Sequence, residues 1–263
     1  MARKPIFVLP LDLGTIAAGN TLAGFPASHL NRPNAIGLVW QSEGNSNLWI
    51  RGQFATPQSI DCCAVIAANA LPGTMIRLRL GTSQEQVDGT APYDSGPLPF
   101  ISPLINRSDG LYHSHLELPS VQTGFWWRID ITGHTGNFQA ASIVMGQKIE
   151  PSRFYNFDFE YGIADLGGMD FGRFGVPDEE PGRILRTIDF TLGWQTEVEW
   201  EERFRPMLEK IGVRGFVYLC FDPTAHAYRQ AKTFLGVMAK PPYAKGPRKP
   251  ATFSQDFSIK SVI

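Results

Sequence analysis

Short apolar runs divided by glycine and proline recur along this chain, and the clearest of them alternate with period two. In "TMIRLRLG" (74–81), Ile76, Leu78 and Leu80 alternate with Arg77 and Arg79, which predicts a strand with one buried and one wet face. "CCAVIAAN" (62–69) is almost wholly apolar and leads to Pro72 and Gly73, the pattern of a strand covered on both faces before a turn. "SNLWIRGQF" (46–54), "FWWRIDITG" (125–133) and "AASIVMGQKI" (140–149) are further strands. "RFYNFDFEYG" places Tyr155, Phe157, Phe159 and Tyr161 on one strand face and Asn156, Asp158 and Glu160 on the other, a stripe that belongs to a core or to a carbohydrate or protein contact.

One amphipathic helix is predicted after the strand "RILRTIDFTLGW" (183–194). Thr196 with Glu199 is a capping-box pattern, Trp200, Phe204, Leu208 and Ile211 have helical spacing, and Gly212 stands at the C-terminal cap. Pro206 within it predicts a kink or an early end. Strands "GFVYLCFDP" (215–223) and "QAKTFLGVMAK" (230–240) follow, and the tail carries an alternating end with Phe253, Phe257 and Ile259 on one side.

The punctuation of 26 glycines and 20 prolines suits a sandwich or barrel. The fold class expected is mainly β: a jelly-roll β-sandwich with a smaller strand-helix-strand-strand portion and extended termini. The expected division is an N-terminal arm over 1–33, a sandwich over 34–176, a second portion over 177–240 packed on it, and a C-terminal tail over 241–263. Residues 83–110, polar and rich in glycine and proline, read as a functional or packing loop.

A formal net charge of −1 removes the electrostatic case for nucleic acid, and no apolar window reaches the roughly 20 residues of a membrane-spanning helix. A soluble chain without a signal peptide is expected. Lys240, Lys245, Arg248 and Lys249 form a basic cluster that reads as a solvated loop. Cys62, Cys63 and Cys220 read as reduced core thiols, which favours a reducing compartment. His113 and His115 alternate on one strand face but lack a third ligand, and Asp165, Asp170, Asp178, Glu179 and Glu180 fit no standard calcium loop.

No nucleophile elbow, phosphate loop or dinucleotide fingerprint occurs, and "DLGGMDFGRFG" (165–175) reads as a flexible loop. "FDPTAHAYRQAKTFLG" (221–236) gathers Asp222, His226, Tyr228 and Arg229. Asp-Pro after an apolar strand starts a turn, so these residues read as a connection, with His226, Tyr228 and Arg229 free for a subunit contact. The expectation is a non-enzyme with no catalytic, cofactor or metal site and no cofactor.

The order of "NAIGLVWQSEGNSNLWIRGQF", "PQSIDCCAVIAANALPGTMIRLRLGTS", an insert ending "YDSGP" and "GFWWRIDITGHTGNFQAASIVMGQKI" resembles the galactose-binding-like (discoidin-type) jelly roll. It is similar above all to the version in tail-tip and minor (distal) tail proteins of tailed bacteriophages. Ala67 to Asn69, Ile76 to Leu80, Trp127 to Ile131 and Ile143 to Gly146 carry the likeness, and "IDFTLGW", an acidic helix, "GFVYLCFDP" and "KTFLGVM" extend it. The resemblance implies a virion structural protein at the tail tip, made in the host cytoplasm. It would form a homo-oligomeric ring or collar that contacts tube, hub and tape-measure proteins. The alternative is a carbohydrate-binding module for a cell-surface glycan, for which Tyr93, Tyr112, Trp126 and His134 would be the candidates.

Overall fold

The computed structural model describes residues 3–34, 37–240, 243–246 and 251–263. The chain is mainly β, built of antiparallel sheets, and divides into two compact units. One contains residues 8–148 and 224–232, the other 1–7, 149–223 and 233–263. This differs from the division expected from the sequence. The break falls at 148/149 and not at 176, and neither terminus is a separate segment.

The 8–148 unit is organised by two long strands, Trp49–Ile66 and Leu116–Thr132, paired antiparallel, with Met75–Gly81 on the other side of the second. The runs 46–54 and 62–69, expected as two strands, are one bent element. Its register with the partner shifts between Gln53 and Gln58 and again between Ile60 and Cys62. Such irregularities bend a strand without ending it, so "ATPQ" reads as a break in sequence and is bridged in space. Ser142–Gly146 pairs with Ile66–Cys62 at the opposite edge, so neighbours in the sheet are not neighbours in sequence.

Alternation delivers Ile50, Ile76, Leu78, Trp127 and Ile129 to one core with Trp40, Phe54, Phe100 and Phe138. The loop at 83–110 is a packing loop with a short helix, Gln84–Asp88, capped by Ser83, and it buries Phe100 and Ile101. The supposed arm is folded in as well: Thr15–Ala18 pairs with Ile50–Gln53, and Leu13 and Leu30 are fully buried.

In the second unit a sheet includes Ile184–Thr196, Thr252–Ser261, Thr233–Met238 and Phe216–Cys220, with the strand Ile6–Val8 beside the last. Ile6 and Phe7 are fully buried, and the Phe7 ring lies 5.0 Å from Phe257 and 5.8 Å from Phe204. An apolar run of this kind loses too much by staying in water to remain an arm. The alternating tail behaves as its pattern predicts, with Phe257 and Ile259 buried.

The helix begins where expected, Thr196 accepting from the Glu199 backbone N–H at 3.2 Å. The reciprocal half of a capping box is missing, because the buried Glu199 carboxylate accepts from Ser152 N (2.8 Å) and Oγ (2.6 Å). Pro206 acts through the turn before it: Trp200–Phe204 winds as a π-helix, and an α-helix resumes over Arg205–Ile211. A proline has no N–H for the preceding turn, and a wider turn accommodates the lost bond. Gly212 closes the helix at φ +50°.

Candidate interaction surface

Segment 154–184 departs from everything around it. Of 21 large hydrophobic side chains exposed among the described residues, eleven lie here. Phe157 is fully exposed and the Phe174 side chain is 91% exposed, with Ile163, Leu166 and Phe171 each more than 60% exposed. Scattered exposed apolar groups are ordinary, but contiguous ones mark contact surfaces.

Local sequence explains the shape. The aromatic stripe expected as one strand is not one: residues 153–159 have no strand assignment, and the strand is Glu160–Asp165, paired on one side with Asp189–Ile184 and lying at the end of its sheet. Three of the four rings of the stripe are held down. Tyr155 stacks on Phe221 at 4.2 Å, Phe159 lies 5.4 Å from Phe221, and Tyr161 stacks parallel to Phe234 at 6.5 Å. Burial, with Tyr155 and Asp222 nearby, pushes the Tyr161 hydroxyl up to about 12. Phe154 and Phe157 are left to solvent.

Beyond Asp165 the stretch expected as a flexible loop is a hairpin, Gly168–Phe171 with Pro177–Glu180. Its turn is closed by Gly175 N to Gly172 O (2.8 Å) and Gly172 N to Val176 O (2.9 Å), with Gly175 at φ +75°. Glycine adopts that conformation without strain, and Phe174 is carried at the tip. Asp170 and Asp178 are register partners, so two carboxylates face each other across the hairpin. Asp158, Glu160, Asp165, Asp170, Asp178, Glu179 and Glu180 form no ion pair among the described residues.

A second feature of this unit is the bulge between Leu192 and Gln195. It holds Trp194 at φ +59° with the ring 53% exposed. A bulky residue rarely sits there, and the sequence gives no sign of it beyond the neighbouring Gly193.

The other sequence candidates are accounted for within their own units. Tyr112 and His134 are buried and Tyr93 packs on the core, so of the four glycan candidates only Trp126 is half-exposed without a core assignment. His134 meets Thr74 Oγ1 at 3.3 Å, and burial lowers its pKa. His113 is buried and its Nδ1 accepts from Ala67 N at 3.0 Å, while His115 Nε2 meets Glu117 Oε1 at 3.2 Å. No group of three or more His, Cys, Asp or Glu that would hold a metal ion occurs among the described residues.

Asp222 is buried and accepts weakly from Arg3 N at 3.5 Å. His226 Nδ1 accepts from Tyr228 N at 3.0 Å. Arg229, expected to be free, is buried and donates to Ser102 O. Gln230, which has no motif to mark it in the sequence, makes two hydrogen bonds with the His113 backbone, accepting from its N–H (2.8 Å) and donating to its carbonyl (2.7 Å). Only Tyr228 of the cluster is strongly exposed.

The three cysteines are buried thiols not joined in disulfides, and burial pushes the Cys63 thiol up to about 12. Lys245 pairs with Asp256 at 2.5 Å and Lys240 is exposed, while Arg248 and Lys249 lie outside the described residues. No helix among the described residues is long and apolar enough to cross a membrane.

No known protein-family pattern and no curated protein matches this chain. Solved structures do. Chitosan-binding module 1 of a chitosanase/glucanase from Paenibacillus sp. IK-5 matches at 15% identity and TM-score 0.38, over 53% of this chain and 98% of that one. CBM32-1 from a family 31 glycoside hydrolase of Clostridium perfringens matches at 10% identity and TM-score 0.40, over 53% and 96%. XRCC1, solved with the DNA pol beta catalytic domain, matches at 10% identity and TM-score 0.37, over 52% and 99%. At these values the likeness is one of fold alone.

Proposed function

We propose that this chain is a non-catalytic assembly protein that works through the 154–184 surface. One observation carries the reading: eleven exposed large apolar side chains are concentrated in one segment whose acids form no ion pair among the described residues. A chain that acted alone would expose them at a cost in solubility. The finer reading is a tail-tip subunit in a virion, meeting tube, hub and tape-measure proteins and further copies of itself. It is supported by the sequence resemblance, and none of the matched structures described above is a tail protein. Immunogold labelling of purified tails with antibody to this chain tests it. Label at the tail tip supports the reading, and label absent from tails while present in the cell removes it.

A second reading, glycan binding, has one observation of its own. Pro57, Thr82, Thr123, Gly124 and Phe125 line an open pocket of about 240 Å³ beside the register shift midway along the long strands. A half-exposed ring beside two hydroxyls is the kind of surface that stacks and orients a sugar. Retention on a glycan array that Phe125→Ala abolishes, with folding intact, would establish it. Uniform silence across the array would remove it.

A further inference from the structure

A cavity of the second unit is built on the polar face of its sheet; the Phe125 pocket belongs to the 8–148 unit and is a separate site. On the paired strands Ile184–Thr196 and Thr252–Ser261, Ile188, Phe190 and Leu192 and, opposite them, Phe257 and Ile259 are buried, so the side chains between them turn to the other face. Register sets Asp189 against Ser258 and Thr191 against Asp256, and these four form the floor of an open cavity of about 260 Å³. Neighbouring pairings supply its sides. Ala239 N donates to Ser258 O at 2.8 Å and Ala244 pairs with Gln255, which brings Lys240 and Tyr243 to the floor. Asp158 borders it from just before the edge strand, where Glu160 is the register partner of Asp189.

The hydrogen-bonding capacity of this cavity is only partly used. Asp256 accepts from Thr191 Oγ1 at 2.9 Å and from Lys245 Nζ at 2.5 Å. The side chains of Asp158, Asp189, Lys240, Tyr243 and Ser258 make no hydrogen bond or ion pair among the described residues. Two carboxylates that only accept, an ammonium that only donates and two hydroxyls that do both therefore border one small space.

That lining narrows the occupant. No group of acids among the described residues would hold a metal ion. The three carboxylates are offset by two ammoniums, Lys240 and Lys245, so a cationic ligand gains little and an anionic one meets the remaining negative charge. A neutral ligand with adjacent hydroxyls uses both kinds of group, donating to the carboxylates and accepting from the ammonium. Sites for drug-sized ligands occupy about 300–1,000 Å³, so the occupant is smaller, of the size of one sugar ring. The Tyr243 ring, 66% exposed, offers a flat apolar surface to the C–H face of such a ring.

We infer that this cavity binds a neutral sugar ring, with Asp158 and Asp189 accepting from adjacent hydroxyls, Lys240 donating to a sugar oxygen and Tyr243 covering one face.

The test titrates the isotopically labelled full chain with glucose, galactose and mannose, and separately with glucuronate and 1,4-diaminobutane, following backbone amide resonances by NMR. At least one neutral hexose should give saturable shifts centred on residues 189–191, 243–245 and 256–258, and glucuronate and the diamine should bind more weakly. Asp189→Asn, which keeps the shape of the side chain, should weaken hexose binding about tenfold, and Tyr243→Ala, at an exposed position, about fivefold. Shifts centred on residues 82 and 123–125 instead would put the sugar in the Phe125 pocket, supporting that reading and overturning this one. No saturable shift with any of the three hexoses, tighter binding of the diamine, or hexose shifts that persist unchanged in both variants overturns it as well. The assembly reading survives each of these outcomes, because tail labelling decides it.

Discussion

The polar face of the 75–81 and 116–132 strands, on which Arg79 is buried and not wet as expected, and the 154–184 segment both carry many charges and aromatic rings, and they use them in opposite ways. On the first, charges are consumed internally. Arg79 donates to Asp130 through Nε (3.0 Å) and Nη2 (2.6 Å), and Arg128 reaches Asp130 (2.8 Å) and Asp88 (2.6 Å). Arg51 also pairs with Asp88, and Arg77 grips Asp94 through Nε at 2.8 Å. Burial tends to raise the Asp88 pKa, but Arg128 and Arg51 outweigh it and hold that carboxyl below its usual range. The Arg51 and Arg128 guanidiniums each lie over the Trp49 ring, 5.0 Å from its centre. On the second surface the carboxylates have no cation among the described residues, and rings such as Phe157 and Phe174 are left in water. A charged face whose members are paired within one unit belongs to folding, and one whose members are unpaired beside bare apolar groups belongs to contact.

That contrast can be broken by mutation, and the largest effect should come from the first region's core. Trp127→Ala, at a fully buried position, should cost about 3–5 kcal/mol by chemical denaturation, enough to unfold a marginal domain. A loss under 1 kcal/mol would mean that the ring is not packed as described. Arg79→Ala removes a guanidinium with 7% side-chain exposure from Asp130, which keeps Arg128, and should cost about 2 kcal/mol.

Gln255→Leu should act in the opposite direction. The Gln195 and Gln255 side chains are buried with no hydrogen-bond partner for oxygen or nitrogen among the described residues. An apolar replacement should raise stability by about 1 kcal/mol, read as a higher Tm. A lower Tm would show that the amide has a partner in solution.

Smaller still is a pH effect in the 8–148 unit. Hydrogen bonding from Arg107 holds the Asp109 carboxyl down at about 2 in the folded chain, against about 3.9 for a free side chain. A depressed folded value contributes stability above the free pKa and loses it as pH falls through the folded one, so the benefit should fade between about pH 4 and pH 2. Asp109→Asn should show less of this fading, as measured by Tm against pH, and an identical pH profile would refute the role. Phe174→Ser should change stability least, by under about 0.5 kcal/mol, because the ring is almost wholly exposed, while reducing assembly. An equal loss of stability and assembly would erase the distinction between the two regions.

Much of the fold was legible in local pattern. The alternation of Ile76, Leu78 and Leu80 with two arginines located a strand and its buried face, and Thr196 and Gly212 located both ends of the helix. Pro206 announced an irregularity, though not that it would appear as a π-turn on its N-terminal side. The interaction surface was half legible. The aromatic spacing at 155–161 was visible, but which rings are covered depends on Phe221 and Phe234, 66 residues from Tyr155 and 73 from Tyr161 in sequence. Asp222, Tyr228 and Arg229 looked alike as candidate polar residues, and only packing separated two buried ones from the exposed tyrosine.

By itself, the sequence determined that the chain is mainly β, where most of its strands run, and that it has one amphipathic helix, because side-chain period and capping are properties of a few adjacent residues. Tertiary structure alone decided that residues 3–7 join a unit made largely from the C-terminal half, that a continuous strand bridges Gln53 to Cys62, and that most apolar groups of 154–184 stay in water. Burial is a relation between segments distant in sequence, and an apolar residue has the same local signature whether a partner covers it or none does.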